Sequence, residues 1–485
     1  MRLLLKSAGI AIVVIVPALG VWLGSSLAAY MNGPVWLASL SGLLLFPVLP
    51  LMWEGYASRR RKKKGRIAPR FFTTWDRIVF RTIAINLLFL CALLMKFPTT
   101  AFAALSTRGD WFLEGRAGEG VEAGRAALFK AARGLEWLYD AKHENPYENF
   151  LAKKTDTEPS PEPAPVGTPS PVAGVEPPPE EEPSHEPRFS ASGVPVWPMP
   201  AELHPAVTQV PADAEQSIAD VARYIAYNEP QPWLRIKALH DYVADRVAYD
   251  AEAYRKREYP PQDAETVFRS RRSVCAGYAN LLAALGQAAG EDIVVIGGDA
   301  RLRGSDVTGE GHAWNAARVG GGWALIDATW DAGYLAEGRF VKQYGTEYLF
   351  TPPQVQGVTH FPEDARWQLR QPHLDRGEFF RQPMMRARFY AEGLELLAPD
   401  RPQVSVGDRI DVAIRNPRKR YFLGRYEGRD AGPARDCEVE NGRAAAIRCQ
   451  FTEEGTYRVV ILSGPRRHGT FWGVGEIEVQ STGRP

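Results

Sequence analysis

Two apolar runs near the start of this 485-residue chain, Ala8 to Tyr30 and Pro34 to Trp53, are separated only by Met31-Asn32-Gly33, and they restrict its fold more than any other feature. Each is long enough to cross a hydrocarbon core, which takes about 20 residues. Inside lipid every backbone N–H and C=O must be satisfied within the segment, so the runs predict helices, and their close spacing predicts a helical hairpin. A cleaved leader is the alternative for the first run, but the second follows at once with no convincing cleavage site between them. A third run, Thr82 to Leu105, is weakened by Lys96 and Pro98 and is most apolar from Ile83 to Met95. It reads as a third span.

Charge orients these spans. The block Arg59-Arg60-Arg61-Lys62-Lys63-Lys64-Gly65-Arg66 lies between the second and third runs and predicts a cytoplasmic loop, with Arg2 and Lys6 on the same side. Three spans then put the chain after residue 106 on the outer, periplasmic or extracellular, face; with only two it would be cytoplasmic. Overall, 58 Lys plus Arg balance 57 Asp plus Glu, so no basic excess speaks for nucleic acid. The spans hold few polar residues, Asn86 among them, which argues against a transporter or channel.

The remaining chain divides by composition. Residues 1–106 form the membrane region, and 107–152 read as a membrane-proximal helical stalk. Residues 153–190, dominated by Pro, Glu, Ser and Thr, cannot bury a core and predict a disordered linker. Residues 191–384 hold the candidate chemistry. Short strands with turn signals across 385–485, such as Arg409 to Ile414 and Tyr457 to Leu462, predict an Ig-like β-sandwich.

Within 191–384, Ala276 to Ala289 is small or apolar on every face, which predicts a buried helix closed by Gly290, with Ser273 as a candidate N-cap. Cys275 then falls in the first turn, where the helix dipole favours a thiolate. His312 to Val319 and Trp323 to Asp327 read as a hairpin about Gly320-Gly321-Gly322. The simplest register sets His312 opposite Trp330 and Asp327 near Asn315, so spacing leaves the His312–Asp327 geometry open. Asp331 competes as a partner for the imidazole, but Asp327 is favoured by its place on the return strand. Tyr278 and Trp314 are candidate substrate contacts, with packing as the competing reading. His360 reads as structural.

The blocks Cys275-Ala276-Gly277-Tyr278-Ala279, His312-Ala313-Trp314-Asn315 and Asp327-Ala328-Thr329-Trp330-Asp331 resemble, in order, the three motifs of the transglutaminase-like superfamily. Leu239-His240-Asp241-Tyr242-Val243 upstream and His360-Phe361-Pro362 downstream resemble the branch that includes kyphoscoliosis peptidase and the transglutaminase-like module of cytokinesis protein 3. The resemblance covers roughly residues 215–375, and three motifs in order are a specific signal. It implies an α+β, papain-like catalytic domain in which Cys275 is the nucleophile, His312 the acid and base, and Asp327 the orienting carboxylate. The implied reaction is acyl transfer from a peptide or glutamine amide through a thioester. Hydrolysis is favoured over cross-linking because the branch includes peptidases. The alternative is a catalytically inactive scaffold that binds a partner at the membrane.

No Cys/His set has zinc spacing, no Gly-rich phosphate loop occurs and the acids lack EF-hand order, so neither metal nor cofactor is expected. The expected partner is a protein or peptide substrate. Cys437 and Cys449 flank Asn441-Gly442. A tight turn there would set Cys437 opposite residue 446, so a disulfide needs a longer loop or a bulge, and the pairing stays open.

Overall fold

A computed structural model describes residues 2–33, 35–63, 73–151, 197–302, 307–428 and 433–483. The expected linker at 153–190 lies outside them. Helices α1 (Arg2–Tyr30), α2 (Val35–Leu43), α3 (Leu49–Lys63) and α4 (Thr74–Lys96) form an N-terminal helical bundle. Three segments, Val13–Tyr30, Trp36–Lys63 and Thr74–Lys96, are long and apolar enough to cross a bilayer. Large side chains such as Trp36, Met52, Leu88 and Met95 face outward, which is costly against water and ordinary against lipid. Between the helices Asn86 is fully buried, and its amide donates to the carbonyls of Leu45 and Thr82 at 3.3 and 2.9 Å.

The third run ends earlier than its apolar character predicts. Pro98 has no N–H and restricts Phe97, so α4 stops at Lys96 and a separate helix, α5 (Pro98–Arg108), begins. Residues Ala101 to Arg108 are all buried. Arg108 donates to Glu114 at 2.9 Å and to Ser405 Oγ at 2.7 Å, while Arg401 grips Asp110 through two bonds of 3.1 Å. The segment expected as a stalk is therefore packed against folded protein. Helices α6 (Glu119–Arg133) and α7 (Glu136–Asp140) continue this contact, with Arg376 backbone N–H donating to Glu136 at 3.2 Å.

The central region mixes helices with a five-stranded sheet. Helix α8 (Ile218–Asn228) buries Ile218, Val221, Ala222 and Ile225 along one face and is capped by Ser217. Together with α9 (Pro232–Arg246) it packs on α10 (Cys275–Ala289), which is buried over most of its length. Strands β1 (Ile293–Ala300), β2 (Glu310–Val319) and β3 (Gly322–Ile326) precede a short helix, α11 (Ala328–Ala332). Strands β4 (Leu349–Thr351) and β5 (His360–Pro362) complete an antiparallel sheet of order β4-β3-β2-β1-β5. The β2–β3 turn needs positive φ at both Gly320 (58°) and Gly321 (87°), the backbone of a primed hairpin turn.

The C-terminal region is strand-rich. Strands β6 (Arg409–Arg415), β7 (Tyr421–Gly428), β8 (Glu438–Glu440), β9 (Ala444–Gln450), β10 (Gly455–Gly464) and β11 (Trp472–Ser481) fall into two sheets. Val412, Ile414 and Ile447 from one sheet meet Phe422, Val459 and Ile477 from the other in a shared core. The β8–β9 hairpin sets Glu440 opposite Ala446 and Glu438 opposite Arg448. Its loop is therefore longer than Asn441-Gly442 alone, and the same register brings Cys437 opposite Cys449. The two are joined by a disulfide with a Cα–Cα distance of 4.5 Å.

Candidate active site

Cys275 opens α10, and a small bridge upstream decides where that helix begins. Residues Arg272–Ser273 pair in parallel with Ala248–Tyr249, which holds the chain extended until Val274. Val274, rather than the expected Ser273, is the N-cap residue. Ser273 Oγ turns back to donate to the Val274 carbonyl at 2.7 Å, and no side chain caps the helix start. Gly277 allows this packing, because a Cβ there would run into Ser273 Oγ and lie 2.6 Å from Val267. Cys275 itself is 1% exposed.

His312 and Asp327 come together diagonally. Asn315 pairs with Ile326, so continuing the register places Asp327 across from Trp314 and two residues along the same face from His312. Long side chains span that diagonal, and His312 Nε2 meets Asp327 Oδ2 at 2.7 Å. Asp327 also leaves the strand to cap α11, its Oδ1 accepting from the N–H groups of Thr329 and Trp330 at 2.9 and 3.1 Å. His360 Nε2 donates to the same Oδ2 at 3.0 Å, and Thr359 Oγ1 donates to His360 Nδ1 at 2.8 Å.

The electrostatics follow from these contacts. Burial works to raise the Asp327 carboxyl, but the two imidazoles hold it well below the usual carboxylate range. Burial likewise opposes charge on His312, but Asp327 and then Cys275 overcome it and lift the imidazole to about 10. Burial pushes His360 down, in keeping with a neutral ring that donates through Nε2 and accepts through Nδ1. With Nε2 of His312 committed to Asp327, its Nδ1 is left for the Cys275 side. His312, Asp327 and His360 also bring potential metal-ligand atoms within 4.8 Å of one another. However, tetrahedral ligation at about 2.0–2.1 Å would separate such atoms by about 3.3 Å. The observed 2.7 and 3.0 Å are hydrogen-bond lengths, so the three form a proton-sharing set.

Cys275, His312 and Asp327 are thus assembled at one place. Tyr278 and Trp314, the candidate substrate contacts, are both buried, like Cys275 itself. Tyr278 is 1% exposed and its hydroxyl donates to the Val247 carbonyl at 2.8 Å. Trp314 is equally buried, stacked behind His312 at 5.9 Å and edge-on to His360 at 5.0 Å. Asp331 serves a different histidine, His240, at 3.2 Å. Two residues at the site had no signature in the sequence. Asn145 donates its amide to the His312 carbonyl at 3.1 Å, and Tyr147 packs in one buried cluster with Cys275. The single trace of them is the turn signal Asn145-Pro146, whose partners lie far along the chain.

Residues 219–328 match the model of the transglutaminase-like superfamily. The kyphoscoliosis peptidase of Mus musculus is 26% identical over 203 residues, which cover 40% of this chain and 31% of that protein. The protein of the same name from Homo sapiens is 25% identical over the same shares. The chain therefore spans less than a third of the length of these curated relatives. A solved structure titled "Crystal structure of a TGase" overlaps with a TM-score of 0.21 at 20% identity, covering 27% of this chain and 34% of that one, too slight an overlap to bear on the fold.

Proposed function

We propose, for a chain that carries a transglutaminase-like domain, that Cys275, His312 and Asp327 form the catalytic set of a membrane-anchored cysteine hydrolase or acyltransferase acting on peptide or glutamine amides. The observation that carries this reading is the 2.7 Å bond from His312 Nε2 to Asp327 Oδ2, with Cys275 near enough to act on the same imidazole. In the first half-reaction Cys275 Sγ adds to the amide carbonyl, its proton resting on His312. Backbone N–H groups at the uncapped start of α10 face the developing oxyanion. The C–N bond then breaks, His312 returns the proton to the departing amine, and a thioester remains. Water attacks the thioester, His312 takes its proton, and acid and free thiol are released. An amine in place of water would give cross-linking. We favour hydrolysis because the similar curated proteins are named peptidases.

Asp327 is the orienter in this scheme, and His360 holds Asp327. We place the catalytic region on the outer face, supported by the basic block between the second and third spans and by the Cys437–Cys449 disulfide, a bond typical of oxidising compartments. Protease protection of residues 197–483 in sealed, right-side-out membranes would overturn this placement. For the chemistry, Cys275→Ala should abolish turnover and labelling by a low concentration of iodoacetamide at that peptide. Equal labelling of wild type and His312→Ala would sink the claim of an activated thiol.

The non-catalytic scaffold keeps one observation in its favour, the 1% exposure of Cys275. It predicts full function in Cys275→Ala.

A further inference from the structure

The cover over Cys275 comes from outside the transglutaminase-like match. After α7 the chain runs through turns and a single 3-10 turn (Glu148–Phe150) to residue 151, lies beside β1 and β2, and sets Tyr147 into the cluster formed by Val274, Cys275, Ala276, Ala279 and Ala313. Tyr147 is 2% exposed, and its ring lies 5.0 Å from that of Tyr259. Four polar ties hold the segment. His143 Nε2 meets Asp299 Oδ1 at 2.6 Å, and Asn145 Nδ2 donates to the carbonyls of Gly298 and His312 at 3.2 and 3.1 Å. Farther along, Asn280 donates to the Phe150 carbonyl at 2.7 Å.

The sheet is shaped to receive it. A Cβ on Gly311, the residue before His312, would run into Pro146 and lie 2.7 Å from Asn145 Oδ1. One on Gly297 would lie 2.8 Å from Leu151. Two glycines thus let this segment lie against the strands that carry the site. An acyl donor must place its carbonyl carbon in contact with Cys275 Sγ, and Tyr147 stands among the side chains that close off that sulfur.

We propose that residues 143–151 are a strap seated over Cys275, displaced when an acyl-donor peptide enters, so that the segment joining the membrane helices to the catalytic region restrains the site it covers. This inference rests on the reading of Cys275 as the nucleophile. It accounts for a buried cysteine beside a charged imidazole–carboxylate pair. It also means that whatever moves α5 to α7 relative to the sheet moves the cover.

The test uses the full-length protein in detergent, with iodoacetamide alkylation of Cys275 followed by peptide mapping. Tyr147→Ala should raise the alkylation rate at least about tenfold, and Asn145→Ala several-fold. Wild-type rates in both variants would overturn the strap. Because either variant could lose its fold, a second measurement uses the wild-type protein. Prolonged maleimide treatment places a bulky adduct on Cys275, and hydrogen exchange is then compared with and without the adduct. Faster exchange at the amides of residues 143–151 supports displacement, and unchanged exchange there overturns it. Faster alkylation of Tyr147→Ala with no amide turnover in any variant would leave the strap standing and sink the hydrolase reading instead.

Discussion

Two buried imidazole–carboxylate sets meet at the two ends of α11, on Asp327 and Asp331, and they differ in where the second ring nitrogen points. His312 gives Nε2 to Asp327 and keeps the other nitrogen for the cysteine side. His240 has none to spare. Its Nδ1 meets Asp241 at 3.0 Å, and its Nε2 faces Asp331 at 3.2 Å, close enough to pair although not aligned as a hydrogen bond. Lys237 and Tyr344 close the set around Asp241. Burial opposes charge on His240, but Asp241 and Asp331 raise it to about 9. Burial pulls Asp331 up to about 6, a rise that the His240 contact only partly offsets. The same residue types therefore make a cross-link between α9 and α11 in one place and a candidate proton relay in the other. Burial and charge alone do not separate them; a nitrogen left over for a nucleophile does.

This contrast can be broken most sharply at its two acids. Asp327→Asn should lower turnover by about 10³–10⁴-fold while the protein stays folded, since the imidazole loses both its orientation and its counter-charge. Asp331→Asn should leave activity per folded molecule within a few-fold of wild type. Steady-state rates normalised by active-site titration test both, and equal losses would erase the distinction. The pH profile adds a direction. A carboxylate raises the pKa of a neighbouring imidazole, so the alkaline limb set by His312 should lie near 10 and shift toward neutrality in Asp327→Asn.

The second test is of stability. His240→Ala removes the cation between Asp241 and Asp331, leaving Asp241 to Lys237 and Tyr344 and Asp331 to the Tyr348 N–H, and should cost about 3–5 kcal/mol, read as a lower midpoint of denaturant unfolding for the central region. The wild-type contribution has a defined pH window. The folded His240 pKa of about 9 lies above its unfolded value of about 6.5, so the stabilisation is complete below about 6.5 and is lost as pH rises through 9. A wild-type midpoint flat from pH 6 to 10, or identical slopes in wild type and His240→Ala, would contradict the cross-link role.

The smallest effect is expected at His360. Removing one of four donors to Asp327 should slow turnover by about 10-fold to 100-fold, the worth of a hydrogen bond to a charged group. His360→Gln, which can still donate, should recover much of what His360→Ala loses. A role in packing alone would make the two variants equal, and melting curves of both would then fall together.

Much of the central region was legible because its signals are local. An apolar stretch without a polar face has to be interior, so α10 and its closure at Gly290, with φ of 79°, follow from Ala276 to Ala289. The Gly-rich turn fixed the β2–β3 hairpin nearly to the residue. The helix start was less legible, because Ser273 has the chemistry of a cap but is drawn into a bridge with Tyr249. Tyr278 and Trp314 were ambiguous for a related reason. A side chain next to a nucleophile in sequence points wherever the helix or strand turns it, and here both turn inward.

The sequence by itself determined the apolar helices, the position of Cys275 at the head of a buried helix, and the order of cysteine, histidine and aspartate. Each of these is written in runs and periods of neighbouring residues. Only the tertiary structure decided that His312 and Asp327 meet on a diagonal, that His360 shares the carboxylate, that Asp331 belongs to His240, and that Tyr147 packs in the cluster that buries Cys275. Those contacts depend on how separate elements pack. The bond from Asn145 to the His312 carbonyl spans 167 residues, and no local pattern encodes it.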